Sequence, residues 1–147
     1  MKELFDVHCH MVPGVDDGAA DLEESLAMLK MQHEDGVRKI IITPHYRRRM
    51  FETPAKKVHE QFLKLQEAAK KEYPDMSLYL GCELHSNMDL QDILEKRKYV
   101  TMAGSSYVLL EFSEGDSAQH IRERVYNVLS CGYEPIIAHV ELSLIHI

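Results

Sequence analysis

Five short apolar runs are spaced along the chain, and each run ends at a histidine or a glutamate. The runs occupy residues 5–7, 39–42, 78–80, 107–109 and 135–137. Runs of this length, with few polar positions, are typical of β-strands that are covered on both faces. The pattern therefore predicts a series of buried strands that are separated by longer polar segments.

The segments between the runs carry helix signals. Asp21 followed by Glu24 is a helix-start pattern, and Gly36 ends the predicted helix before the next strand. Apolar residues recur at helical spacing after each predicted start. The predicted helices begin at Asp21, at the N-cap and N1 pair Thr53 and Pro54, near residue 89, and at Ser117.

Alternating strands and helices favour an α/β fold with a parallel sheet, either a barrel or a doubly wound sheet. Functional residues lie at the carboxyl ends of the strands in both architectures. A barrel is favoured here, because an open sheet could hardly bring residues from five strands to one point.

The residues that end the runs are metal-binding types. His8 and His10 are two positions apart at a strand end, so their side chains share one face, while Cys9 points away. Imidazole nitrogens and carboxylate oxygens suit zinc, iron or manganese. The other runs end at His45, Glu83, Glu111 and His139. The recurrence predicts a site that holds more than one metal ion.

Composition argues against several classes of function. The net charge of -7 and the pI of about 5.7 argue against binding to nucleic acid. No apolar stretch approaches the ~20 residues of a membrane span, and the start of the chain lacks a signal-peptide pattern. We therefore expect no membrane insertion and a cytoplasmic location. None of the three cysteines has an arginine six positions later, which excludes the phosphate loop of cysteine-dependent phosphatases.

Five motifs together resemble a known superfamily. They are DVHCHMVPGVDDGA at residues 6–19, TPHY at 43–46, GCE at 81–83, LEF at 110–112 and AH at 138–139. The combination resembles the PHP (polymerase and histidinol phosphatase) phosphoesterases. It is most similar to the bacterial manganese-dependent protein-tyrosine phosphatases of capsule and exopolysaccharide operons, over residues 3–141. The resemblance implies a distorted (β/α)7 PHP-type barrel, of which this chain would supply about five βα units.

The resemblance also implies a cluster of two or three divalent ions. Manganese is the expected metal, with iron, zinc or cobalt as alternatives. Asp16 is the weaker candidate of the Asp16 and Asp17 pair, and Asp6 is expected to have a structural role. The implied ligands are His8 and His10 on one metal, Glu83 bridging to a second with Glu111 and His139, and Asp17 with His45 on a third.

Arg47 and Arg48 follow His45 on one loop, where guanidinium donors could bind a phosphate. The alternative interpretation is that the triplet Arg47-Arg48-Arg49 belongs to a solvated loop without a binding role. The resemblance implies hydrolysis of phosphotyrosine in a protein substrate, with a bacterial tyrosine kinase of capsule or exopolysaccharide biosynthesis as the partner. The alternatives are a phosphatase for histidinol phosphate or another small molecule, and a non-catalytic fragment.

The chain departs from the family after residue 139. The family reads Pro-Glu-Arg where this chain has Val140, Glu141 and Leu142, and the arginine is thought to bind phosphate. The family is also longer, and an Asp-x-His pair in its last part completes two metals. We therefore expect residues 1–141 to be a partial PHP phosphoesterase domain of low or no activity. Residues 142–147 would be a non-native tail, in which His146 has no role.

Overall fold

Strands and helices alternate through residues 3–143, the part of the chain that the computed structural model describes. The strands are β1 (Leu4–Cys9), β2 (Val37–Ile42), β3 (His45–Tyr46), β4 (Ser77–Leu80), β5 (Glu83–His85), β6 (Tyr107–Glu111) and β7 (Glu134–Ile137). The helices are α1 (Leu22–Glu34), α2 (Ala55–Glu72), α3 (Leu90–Lys96), α4 (Ala118–Ser130) and α5 (Val140–Ser143). The α/β class is confirmed. Residues 144–147 of the predicted tail, including His146, lie outside the described residues.

All strand pairs are parallel, and they form two sections with the orders β1-β2-β4 and β3-β5-β6-β7. The backbone N–H of Gly81 donates to the carbonyl of Ile42 over 2.8 Å, and that of Glu83 donates to Pro44 over 3.0 Å. Strand pairing thus continues across the bends between β2 and β3 and between β4 and β5. The sequence pattern predicts the strands but not these bends.

Each sheet section has its own hydrophobic core. Leu29 of α1 and Phe62 of α2 pack with Ile40 of β2 against the first section. Ile93 of α3 and Val128 of α4 pack with strand residues of the second section. The periodic apolar positions of the helices therefore hold them against the sheet, as the alternating pattern predicts.

Three of the predicted helix starts, at Asp21, near residue 89 and at Ser117, are confirmed at atomic detail. The carboxylate of Asp21 accepts a hydrogen bond from the backbone N–H of Glu24 over 2.9 Å, and Ser117 caps α4 in the same way. The N-cap prediction for Thr53 is wrong by one position, because Pro54 is the N-cap and α2 begins at Ala55. The Thr53 hydroxyl donates instead to the carbonyl of Val15 over 2.8 Å, which ties two loops together.

Within residues 3–143, β1 pairs only with β2 and β7 pairs only with β6. Leu4, Phe5 and Val7 on β1 are exposed at 48%, 60% and 55%, so this edge of the sheet is apolar. None of the helices in the same range combines the length and the apolar character that crossing a bilayer requires.

Candidate metal centre

The predicted ligands converge at the bends and carboxyl ends of the strands. His8 lies in β1, and Glu111 is the last residue of β6. His45 and Glu83 each follow a predicted strand, as expected, but they open the short strands β3 and β5 beyond the bends. Pairing of His45 with Glu83 across these strands sets their side chains next to each other.

Glu83 is the central residue of the cluster and is 1% exposed. One carboxylate oxygen, Oε2, lies 2.9 Å from Nε2 of His8, 3.1 Å from Nε2 of His10 and 3.3 Å from Nδ1 of His45. The other oxygen, Oε1, lies 2.8 Å from Nε2 of His139. One buried carboxylate therefore connects imidazoles from β1, β3 and the segment after β7.

The two aspartates of the acidic turn after β1 make different contacts. Asp16 accepts hydrogen bonds from the ring Nδ1 of His10 and from the backbone N–H of His45, both over 2.9 Å. Asp17 points a carboxylate oxygen at Nε2 of His45 over 3.6 Å. A Cβ at Gly18 would overlap the carbonyl oxygen of His10, so only glycine lets the turn fold this closely. Asp16 thus orients the imidazole of His10 and holds the backbone of His45, and Asp17 faces the cluster.

The donor set fits divalent cations. Nδ1 of His45 and Oε2 of Glu111 are buried, lie 3.5 Å apart, and have no hydrogen-bond partner of good geometry among the described residues. Buried atoms of this kind are costly to leave unpaired, and a shared cation would satisfy both. Nδ1 of His139 is in the same condition. Within residues 3–143, three groups have ligand atoms within 4.8 Å of one another: His8, His10 and Glu83; His10, Asp17 and His45; and His45, Glu83 and Glu111.

Burial and hydrogen bonds shift the pKa values of Glu83 and His10. Burial opposes charge on Glu83, but hydrogen bonds from His10 and His8 outweigh it and hold the pKa of the carboxyl well below its usual range. Burial likewise opposes protonation of His10, yet hydrogen bonds to Asp16 and Glu83 raise the pKa of its imidazole to about 10. Metal ligation requires neutral imidazoles, so cations would compete with protons for these same nitrogens.

Arg47 and Arg48 diverge from one short turn. Nη1 of Arg47 lies 4.0 Å from Oε1 of Glu111, so its guanidinium lies beside the cluster. Arg48 lines a separate pocket together with Met88. Two backbone hydrogen bonds between Arg47 and Phe51 close the turn, and the Phe51 ring stacks on His45 at 5.1 Å. The structure thus brings Arg47 and Phe51 to the predicted ligands and places Arg48 at a different pocket.

A buried polar network next to Arg47 was missed by the sequence interpretation. His85 is 3% exposed, and its Nε2 lies 3.0 Å from the hydroxyl of Ser113, which Arg47 approaches to 3.5 Å. The backbone N–H of Ser113 donates to Asp116 over 2.8 Å. Burial lowers the pKa of His85, with a further contribution from the charge of Arg47. The sequence signal for this network was the spacing of His85, which lies two positions after Glu83 and therefore on the same face of the strand.

Sequence relatives of this chain include bacterial tyrosine-protein phosphatases. The chain is 41% identical over 138 residues to the tyrosine-protein phosphatase CpsB of Streptococcus pneumoniae, covering 94% of this chain and 57% of that protein. It is 30% identical to the tyrosine-protein phosphatase YwqE of Bacillus subtilis, covering 94% of this chain and 54% of that protein. The chain therefore spans little more than half the length of these curated relatives.

A structural match agrees with the sequence relatives. A chain from the crystal structures of YwqE and CpsB, described as unique metal-dependent tyrosine phosphatases, superimposes with a TM-score of 0.84 at 29% identity. The match covers 95% of this chain and 56% of that chain, which confirms the predicted PHP-type fold. Residues 4–143 match the profile of the family described as capsular polysaccharide synthesis, CpsB/CapC. The chain therefore belongs to the CpsB/CapC family.

Proposed function

We propose that this chain carries the metal centre of a divalent-cation-dependent phosphomonoester hydrolase that acts on phosphotyrosine in proteins. The observation that carries the proposal is the buried carboxylate of Glu83, which four imidazoles contact from separate elements of the fold. An isolated ion pair would not require four imidazoles. The family and the tyrosine phosphatases among its members support the phosphotyrosine assignment.

The proposal assigns the metal ions to the seven predicted ligands. They are His8, His10, Asp17, His45, Glu83, Glu111 and His139. Two or three divalent ions, with manganese proposed as the metal, would activate water and offset charge on the phosphoryl oxygens. Glu83 belongs to two of the three candidate groups, so it would bridge neighbouring cations.

Arg47 and Phe51 are proposed to bind the substrate. The guanidinium of Arg47 lies beside Glu111, where its paired donors can hold phosphoryl oxygens. The ring of Phe51 lies flat on His45, where it can pack against the phenyl ring of phosphotyrosine. The contact with Phe51 would favour an aryl phosphate over the alkyl phosphate of histidinol phosphate.

We further propose a bacterial tyrosine kinase as the protein substrate and the cytoplasm as the compartment. Capsular polysaccharide synthesis is the process for which the family is described, and this supports a partner from that process. Cys9, Cys82 and Cys131 are free thiols, which is in keeping with a reducing compartment.

The experiment is a comparison of three substrates with the protein in excess, so that slow turnover is visible. A phosphotyrosine peptide, p-nitrophenyl phosphate and histidinol phosphate are each incubated with the chain, with Mn²⁺ and after exhaustive EDTA treatment. We expect Mn²⁺-dependent hydrolysis of the two aryl phosphates. Full activity in the metal-depleted protein, a preference for histidinol phosphate, or no Mn²⁺-dependent hydrolysis would each contradict the proposal.

A further inference from the structure

A second pocket is lined by none of the candidate metal ligands. Its volume is about 560 Å³, which lies within the range of ligand-binding pockets. Arg48 lines it from the turn after His45, and Arg124 and Asn127 line it from α4. The pocket is therefore built from the loop that also presents Arg47 to the metal centre.

Its two arginines are without acidic partners. In the described part of the chain, neither Arg48 nor Arg124 forms an ion pair, and the buried Nε of Arg124 has no hydrogen-bond partner. Asp89 also lines the pocket, but its carboxylate accepts a hydrogen bond from the backbone N–H of Asp92 and caps α3. In a protein with a net charge of -7, two unpaired arginines at one pocket are a local exception.

Backbone contacts in the turn hold Arg48 at the pocket. The backbone of Arg47 exchanges two hydrogen bonds with Phe51, and Arg49 holds a left-handed conformation with φ 65°. The backbone N–H of Arg48 contacts Sδ of Met88 at 3.1 Å, which anchors the residue at the pocket. Neighbouring residues in this turn thus face two different sites.

We propose that this pocket, termed the arginine pocket, binds a carboxylate side chain of the substrate protein close in sequence to the phosphotyrosine. The inference rests on the proposed function, because it assigns Arg47 to the phosphate. Adjacent Cα atoms are about 3.8 Å apart, and an extended peptide advances about 3.3 Å per residue. Because Arg47 and Arg48 are neighbours in the turn, we assign the arginine pocket to a glutamate or aspartate within about four residues of the phosphotyrosine.

The test uses two fluorescent peptides without phosphate. One has an unphosphorylated tyrosine flanked by glutamates on both sides, and the other has glutamines in their place. Binding to the full chain is measured by fluorescence anisotropy at low salt. Because the probes contain no phosphate, the result does not depend on whether the chain hydrolyses phosphotyrosine.

We expect tighter binding of the glutamate peptide, and we expect Arg124→Gln to weaken it about fivefold while leaving the glutamine peptide unchanged. Arg122→Gln, on the same helix but outside the arginine pocket, is the matched control and should change neither. Arg48→Gln alters an exposed side chain, cannot disturb the core, and should weaken the glutamate peptide as Arg124→Gln does.

Equal binding of the two peptides to the unaltered chain would overturn the proposal. Equal effects of the Arg122 and Arg124 substitutions would overturn it as well, as would an Arg48→Gln variant that binds the glutamate peptide normally. If the peptide results hold but no aryl phosphate is hydrolysed, the arginine pocket stands and the proposed function fails.

Discussion

Replacing Glu83 with glutamine removes the charge of the cluster's central residue and keeps its shape. Glutamine retains one acceptor oxygen and presents an amide NH₂ in place of the other, so one of the two short contacts, at 2.8 Å and 2.9 Å, is lost. A hydrogen bond to a charged group contributes about 1.5–3 kcal/mol. We therefore expect the metal-free variant to lose about 2 kcal/mol of unfolding free energy at pH 7. Folding lowers the pKa of Glu83, so this contribution is complete at neutral pH and is lost only in acid.

The effect of Glu83→Gln on metal binding is expected to be larger. Loss of a group that merely orients a metal ligand costs about 10–100-fold in affinity. Glu83 belongs to two of the three candidate ligand groups, so we expect at least about a hundredfold weaker Mn²⁺ binding. Isothermal titration calorimetry gives the affinity, and elemental analysis after gel filtration gives the metal content.

Glu95→Gln is the matched control for this substitution. Glu95 is exposed on α3, and its carboxylate accepts only a 3.3 Å hydrogen bond from Gln91. We expect its metal content and its unfolding free energy to equal those of the unaltered chain. Equal losses of Mn²⁺ in the Glu83 and Glu95 variants would refute the ligand assignment.

Three further predictions concern the rest of the fold. Gly18→Ala should weaken Mn²⁺ binding in calorimetry, because its Cβ would overlap the carbonyl of the candidate ligand His10; unchanged affinity would contradict the turn geometry. Leu65→Ala should cost about 2–5 kcal/mol in urea denaturation, because Leu65 is fully buried in the first core. A hydrogen bond from His33 lowers the pKa of the exposed Asp75 carboxyl in the folded chain. The ionised carboxylate therefore stabilises the fold above the unfolded pKa of about 3.9, and this contribution is lost as the pH falls through the folded pKa. The stability difference from Asp75→Asn, measured by denaturation at several pH values, should shrink below about pH 4.

Residues at predicted strand ends were the most informative part of the sequence. His8 and His10 have the two-residue spacing that places side chains on one face of a strand, and the structure brings both to Glu83. Asp21 and Ser117 cap their helices as predicted. These features depend on local geometry, which the order of residue types records directly.

Features that depend on distant contacts were not predictable in the same way. Thr53 has the residue type of an N-cap, but its hydroxyl bonds to Val15, a loop 38 positions earlier. Asp16 orients the ring of His10 and His85 bonds to the hydroxyl of Ser113, and such roles become visible only when the turn and strand are packed. The bends after β2 and β4 divide the strands between two sheet sections, an arrangement that no single segment encodes.

The connection through Glu83 joins parts of the chain that are far apart in sequence. His8 precedes almost all of the described fold and His139 follows almost all of it, yet each binds one oxygen of the same carboxylate. A cation that binds only the folded chain stabilises it by about 2.7 kcal/mol at a hundred times its Kd. Unfolded molecules are removed by proteases in cells, so a stability change of this size alters abundance several-fold. Under metal starvation, the cell would therefore lose the protein itself.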